Sequence, residues 1–123
     1  MSMKMVNIVN AQPALEKIAS VDLPLKLLYS LKKLMEKLER EMQFFNEERD
    51  KLILKYGEQA EDGMFRIPGD KVEDFQREAN ELADIDVEWD VAPIVLPLLD
   101  GLALSYNELK TLEGFIELRG DEG

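Results

Sequence analysis

The sequence predicts an α+β fold that is mainly helical, with one long amphipathic helix at about 23–56, shorter helices and a small β-sheet. Apolar residues recur every three or four positions through 23–56, where no glycine and no proline after the first turn interrupts them. Apolar and acidic residues alternate from Asp84 to Val91, which is the period of a half-buried strand. With 123 residues, 46% of them hydrophobic, the chain is predicted to form a single domain over 1–123 with its own core.

The N-terminal part is predicted to contain a short strand followed by two helices. Residues 4–9 are apolar enough for a strand, and Pro13 suits the start of a short helix. Asp22 is a favourable N-cap for the long helix, and Pro24 is tolerated in the first turn because its missing N–H has no helical partner there. Gly57 fits a left-handed cap at the C-terminus.

The apolar stripe of the long helix is the candidate interface. Its members are Leu27, Leu31, Leu34, Leu38, Met42, Phe45 and Leu52. A helix of roughly 34 residues spans about 51 Å, whereas a compact domain of this length has a diameter of roughly 35 Å. The helix therefore either projects or is covered by a second copy, and a homodimer packed as a coiled coil along Leu31 to Phe45 is the preferred assembly. An intramolecular core is the alternative for the same stripe. Phe44 and Phe45 cannot both enter one narrow seam, so one of them faces a neighbouring element or a partner.

The middle of the chain is predicted to form an acidic helix–strand region over 58–91. A polar loop over 58–63 precedes a short strand at Met64–Ile67, and Asp70 with Glu73 resembles a capping box that opens a second helix. Residues 58–90 hold twelve acids and three bases, so most of the net charge of −11 comes from this region. Asp84–Val91 is predicted to be a strand that pairs with Met64–Ile67 in one small sheet. The N-terminal strand is a further candidate member of that sheet.

The C-terminal part is predicted to contain an extended segment, a turn and a last helix. Pro93 and Pro97 favour an extended or edge conformation for Ile94–Leu99, and the dipeptide at 100–101 is a turn. Ser105 and Glu108 have capping-box spacing and predict a helix over 105–117. Within this helix, Gly114 is expected to cost about 1 kcal/mol relative to alanine.

The alternating carboxylates of the predicted strand form a candidate acidic surface. They are Asp84, Asp86, Glu88 and Asp90. Oxygen ligands suit divalent cations, but the spacing differs from an EF-hand loop, and a strand face arranges carboxylates in a row rather than around an ion. A solvated face that resists edge-to-edge strand pairing is the favoured interpretation, and no metal site is assigned.

Composition excludes several kinds of chemistry. The chain has no cysteine and no histidine, which removes disulfides, thiolate ligands and the commonest general base. Its serines therefore have no histidine partner, and its scattered glycines form no phosphate-binding loop. We therefore predict no enzymatic activity, no catalytic residue and no cofactor. The acidity disfavours nucleic acid and anionic membranes as partners. Residues 91–99, the longest apolar run, are too short to span a bilayer, and a cytoplasmic protein is expected.

The order of the segments resembles a known family. Pro24 precedes a tyrosine-containing helix that ends in the run EREMQFFNEERDKLILKYG (39–57). Phe65-Arg66-Ile67-Pro68 and a helix with Phe75, Glu78 and Leu82 follow, and later the pattern Ser105, Leu109 and Leu112 to Glu117. This combination, which covers most of residues 14–117, resembles a family of small uncharacterised phage and prophage proteins of Gram-positive bacteria. The resemblance implies a phage context inside a bacterial host and brings no catalytic residues.

Three functional hypotheses follow from these observations. The first is a phage protein–protein interaction or assembly module that acts through the long helix, with a phage or host protein or a second copy as partner. The second is a host-directed inhibitor that mimics nucleic acid with its acidic 58–90 region. The third is a carboxylate-based metal-dependent enzyme, which ranks last because histidine and cysteine are missing.

Overall fold

The fold is α+β and mainly helical, as predicted, in a computed structural model that describes residues 2–97 and 102–119. The helices are α1 (Met5–Ala19), α2 (Leu25–Tyr56), α3 (Val72–Ala83) and α4 (Tyr106–Thr111). The strands are β1 (Ser2–Lys4), β2 (Glu58–Gln59), β3 (Phe65–Arg66), β4 (Asp86–Glu88), β5 (Ile94–Pro97) and β6 (Ile116–Arg119). The predicted turn at Asp100-Gly101 and the end of the predicted segment Ile94–Leu99 lie outside the described residues.

The N-terminal strand prediction for 4–9 is wrong, because helix α1 already begins at Met5. The six buried residues of α1 have helical spacing and face the core: Met5, Ile8, Ala11, Ala14, Leu15 and Ile18. Pro13 lies inside the helix rather than at its start. In the helix interior a proline removes one backbone hydrogen bond. Burial of this apolar face offsets that loss and decides for helix over strand.

The long helix is confirmed, with α2 beginning two residues later than predicted. It packs against α1, α3 and β5, and its 32 residues span about 48 Å. The cap at Gly57 differs from the prediction, because φ is −84° and ψ is 155°, an extended rather than left-handed conformation. Glycine is needed here for close approach instead, since a Cβ at Gly57 would collide with the carbonyl oxygen of Ile53.

The sheet prediction is wrong in its pairing. Within residues 2–97 and 102–119 the six strands form three two-stranded sheets rather than one. The predicted loop over 58–63 contains β2, which pairs with β3 in an antiparallel hairpin whose turn includes Gly63 at φ +84°. The acidic strand β4 pairs with β1 instead, with Met3 opposite Val87. The N-cap of α3 is Lys71, whereas the capping-box pattern of Asp70 and Glu73 predicts Asp70 as the N-cap. The predicted start of this helix is therefore one residue too early.

The predicted C-terminal helix over 105–117 is too long. Its capping box is confirmed, since Ser105 Oγ accepts from the Glu108 N–H (3.1 Å) and Glu108 Oε1 accepts from the Ser105 N–H (2.9 Å). Helix α4 nevertheless ends at Thr111, and Gly114 adopts φ +87° in the turn that follows. β6 then pairs in parallel with β5, with Ile94 opposite Ile116.

One cluster of buried side chains joins α1, the first half of α2, β4, β5 and the 112–116 turn. At its centre the Trp89 and Phe115 rings meet edge to face, with centroids 5.1 Å apart. All four buried residues of α2, which the structure describes along its full length, lie between Leu31 and Met42. The second half of α2 therefore extends past this core, and α3 packs alongside it.

Candidate protein-interaction site

The predicted apolar stripe divides into a buried part and a partly open part. Leu31, Leu34, Leu38 and Met42 are buried in the core of their own chain, whereas Leu27, Phe45 and Leu52 are half-buried. The intramolecular alternative therefore applies to the first four. Packing of two copies along Leu31 to Phe45 is corrected accordingly, because a partner helix cannot reach side chains already covered by α1 and its neighbours.

The two adjacent phenylalanines of α2 take different environments. Phe45 is half-buried against the core, whereas Phe44 is 42% exposed. We expect one of the two to face a neighbouring element or a partner. Phe44 is the one available to a partner, because Phe45 packs against the core. Phe44 lies at the edge of two recesses, one between α2 and α3 and the other between α2, the start of α1 and β4.

The first recess, recess A, is apolar inside and acidic at its rim. Its volume is about 370 Å³. The apolar lining consists of Phe44, Leu52, Leu82 and Ile85, and the carboxylates are Glu48, Glu78 and Glu81. Recess A therefore offers exposed hydrophobic surface with no basic residue among its lining side chains, which the structure describes in full.

The second recess, recess B, adjoins the first because the two share Phe44 and Ile85. Its volume is about 300 Å³. Its other lining residues are Met5, Lys37, Glu41, Asp86, Val87 and Glu88. Ile85 is 37% exposed, although the alternation had predicted it on the buried face of the acidic strand. The reason is that β4 begins only at Asp86, so Ile85 lies before the pleat that buries Val87.

The end of α2 is fastened to α3 at the rim of recess A. The Tyr56 and Phe75 rings meet edge to face with centroids 6.3 Å apart, and Lys55 Nζ lies 3.1 Å from Glu78 Oε1. Hydrogen bonds from the Tyr56 hydroxyl and the Lys55 ammonium lower the pKa of the Glu78 carboxyl. The same carboxylate raises the pKa of Lys55. Glu78 is therefore ionised at neutral pH, and Lys55 compensates its charge at the rim.

In the predicted acidic surface, one lysine forms ion pairs with two of the four carboxylates. Lys4 Nζ lies 2.9 Å from Asp86 Oδ1 and 3.4 Å from Asp84 Oδ1, and both carboxylates are exposed. Hydrogen bonds to Asp86, and then Asp84, raise the pKa of Lys4. Asp84 caps the end of α3, whereas Asp86 and Glu88 project from β4 and Asp90 follows the strand. The four residues thus share a region without forming a uniform row of uncompensated charge.

The described part of the chain contains no group of three or more Asp, Glu, His or Cys residues arranged to hold a metal ion. It also contains no helix long and apolar enough to cross a membrane. No protein-family model, curated protein or solved structure matches the chain.

Sequence reasoning did not find the recesses. The sequence predicts Leu82 on the apolar face of α3 and Ile85 on the apolar face of the acidic strand, with no indication that the two lie together. Two hydrophobic residues that flank the end of a helix were the available signal. Only the packing of α3 on α2 brings them to Phe44 and Leu52.

Proposed function

We propose that this chain is a non-enzymatic protein–protein interaction or assembly module that acts through its long helix. The observation that carries the proposal is recess A, where the exposed Phe44 and Ile85 adjoin the half-buried Leu52 and the buried Leu82. Apolar surface that remains exposed beside a well-packed core is typical of a binding site. The absence of histidine and cysteine from the sequence supports a non-enzymatic role.

The resemblance to phage and prophage proteins supports a site of action in the cytoplasm of a bacterial host. A phage or host protein is then the expected partner. A homodimer stays a prediction, and the burial of Leu31–Met42 within the chain supports an interface elsewhere on it. Mimicry of nucleic acid is less well supported, since Lys4 compensates Asp84 and Asp86.

Site-specific photo-cross-linking in bacterial cells that produce this chain tests this function. A photoreactive benzoylphenylalanine that replaces Phe44 is expected to give a discrete protein adduct. The same residue in place of Tyr106, which is 73% exposed on α4, is the control and should give none. The proposal is rejected if positions 44, 52 and 85 all give no adduct and light scattering shows a monomer.

A further inference from the structure

We propose that this chain self-associates by docking a basic, apolar surface at the N-terminal end of α2 onto an acidic, apolar surface at the other end of α2 in a second copy. The first surface, the basic pole, consists of exposed side chains of Leu25, Lys26, Leu28, Tyr29, Lys32 and Lys33. The second, the acidic pole, consists of exposed side chains of Glu61, Met64, Phe65, Asp70, Val72 and Glu73. Neither pole shares a residue with recess A or recess B, so this inference goes beyond the proposed function and does not depend on it.

The basic pole carries lysines that the chain itself leaves unpaired. Residues 20–35 hold three lysines and a single acid, although the whole chain has a net charge of −11. Within the part of the chain that the structure describes, Lys26 and Lys33 have no ion-pair partner. Lys32 lies 3.8 Å from Glu36, and both side chains are mostly exposed. At least two positive charges are therefore available to carboxylates of another molecule.

The acidic pole keeps three unpaired carboxylates after its own ion pairs are counted. Each base at this end of the molecule lies beside a carboxylate outside the pole: Arg66 beside Asp62 (2.8 Å), Lys71 beside Glu58 (3.9 Å) and Arg77 beside Asp74 (3.1 Å). Among the described residues, Glu61, Asp70 and Glu73 have no ion-pair partner. These three carboxylates are the ones that the lysines of a second copy can meet.

Both poles also expose large hydrophobic side chains. In the basic pole, Leu25 is 80% exposed and Tyr29 is 55% exposed, and Lys33 Nζ lies 4.6 Å from the centre of the Tyr29 ring. In the acidic pole, Met64 is 64% exposed and Phe65 is 44% exposed. Contact between the poles removes apolar surface from water while opposite charges meet beside it. The two surfaces are thus complementary in both respects.

The position of the poles makes a second copy the occupant. The β2–β3 hairpin follows α2 directly, and the contact of Lys71 with Glu58 places the start of α3 beside it, so the poles are separated by the length of α2, about 48 Å. One chain cannot bring its own poles together across a continuous helix, but each copy offers one of each to its neighbours. Such a contact can repeat from copy to copy. An anionic membrane would meet the basic pole alone, and it would repel the remainder of an acidic chain.

Charge reversal with rescue tests the contact. Sedimentation velocity follows the full chain between about 1 and 300 µM, since a contact of this size is expected to have a Kd on the order of 10 µM. Lys26→Glu with Lys33→Glu should give a monomer, and so should Glu61→Lys with Glu73→Lys, because each variant then has two poles of like charge. An equimolar mixture of the two variants should associate as the wild type does, because every basic pole again meets an acidic one. Both variants keep a net negative charge, so general attraction cannot produce the rescue.

A second lysine–tyrosine pair supplies matched controls. Lys110 Nζ lies 5.4 Å from the centre of the Tyr106 ring on α4, outside both poles, in the same i,i+4 relation as Lys33 and Tyr29. Tyr29→Ser and Lys33→Glu should each weaken association about tenfold, whereas Tyr106→Ser and Lys110→Glu should leave it unchanged. An increase in salt from about 50 mM to about 0.5 M should weaken wild-type association. Circular dichroism confirms that each variant is folded.

Several results would overturn the inference. The wild type stays monomeric at low salt up to about 300 µM, the mixture of reversed variants does not associate, or the α4 controls weaken association as much as the pole variants do. A wild-type monomer that binds phosphatidylglycerol vesicles, and loses them in Lys26→Glu with Lys33→Glu, would identify an anionic membrane as the occupant instead. Association that survives every pole variant and is lost in Phe44→Gln would place the contact between copies at the recesses. None of these results removes the cross-links expected from position 44, so the proposed function is tested separately.

Discussion

The ion pair between Lys17 and Glu108 shows how a single side chain serves two structural purposes. Glu108 completes the capping box of α4 by accepting from the Ser105 N–H, and Lys17 Nζ lies 2.8 Å from its second carboxylate oxygen. Lys17 belongs to α1, so one carboxylate both starts a helix and joins it to another. The capping box was predictable from local spacing, whereas the contact with a residue 91 positions away was not.

The same carboxyl predicts a pH dependence. Its hydrogen bond from Lys17, and then the one from Ser105, lowers the pKa of Glu108 from 4.5. Stability from this group is complete above the unfolded pKa and is lost as pH falls below about 4.5 through the lower folded pKa. Glu108→Gln and Lys17→Met should both reduce this loss. The measurement is the fall in the urea unfolding midpoint between about pH 6 and pH 3, which should be smaller in each variant than in wild type. An unchanged difference in both variants would contradict the assignment.

At the scale of elements, apolar spacing predicted the helices well but not their ends. The period of three to four residues located α2 and α3, because burial of one face is a property of the local sequence. The apolar run at 4–9 wrongly predicts a strand, because a run this short has no distinctive period by which a helix could be told from a strand. The start of α1 depends on the core formed with α2.

The end of α2 predicts a difference between two glycines. Gly57→Ala should destabilise the fold by about 1–3 kcal/mol, because the new methyl group meets the carbonyl oxygen of Ile53. Gly69→Ala is the control, since nothing lies within 4 Å of its added Cβ. Thermal unfolding of the two variants measures the difference. Equal effects would show that Gly57 is not constrained by close approach.

The two halves of α2 predict different responses to the same substitution. Leu38→Ala should cost about 2–5 kcal/mol because Leu38 is buried in the core. Leu54→Ala removes an exposed side chain from the same helix and should change stability by less than about 0.5 kcal/mol. Urea unfolding compares them. A large effect of Leu54→Ala would mean that the second half of α2 is covered by a partner copy.

The whole molecule consists of a core around Trp89 and a helical extension formed by the second half of α2 with α3. The Lys55–Glu78 pair and the Tyr56–Phe75 ring contact fasten this extension. The single-domain prediction for 1–123 requires that core and extension unfold together. Whether the core and the extension unfold together depends on the strength of these contacts, which cannot be derived from the sequence pattern.

Trp89 provides the test of that single domain. It is the sole tryptophan of the chain and is buried in the core, so its fluorescence reports on the core alone. Circular dichroism at 222 nm reports on all helices, including the second half of α2. One domain predicts coincident unfolding curves in urea. Separate transitions, with helicity lost first, would show that the extension unfolds independently.

The sequence by itself determined the long helix, α3, the capping box of α4 and the inward-facing positions of Val87 and Trp89, because each depends on periodicity or on residues a few positions apart. Tertiary structure decided which strands pair, where α1 begins and α4 ends, and which part of the apolar stripe is buried. It also assembled the recesses, since Phe44, Leu82 and Ile85 come from different elements. Contacts between residues distant along the chain depend on how whole faces fit together, and no local pattern encodes that fit.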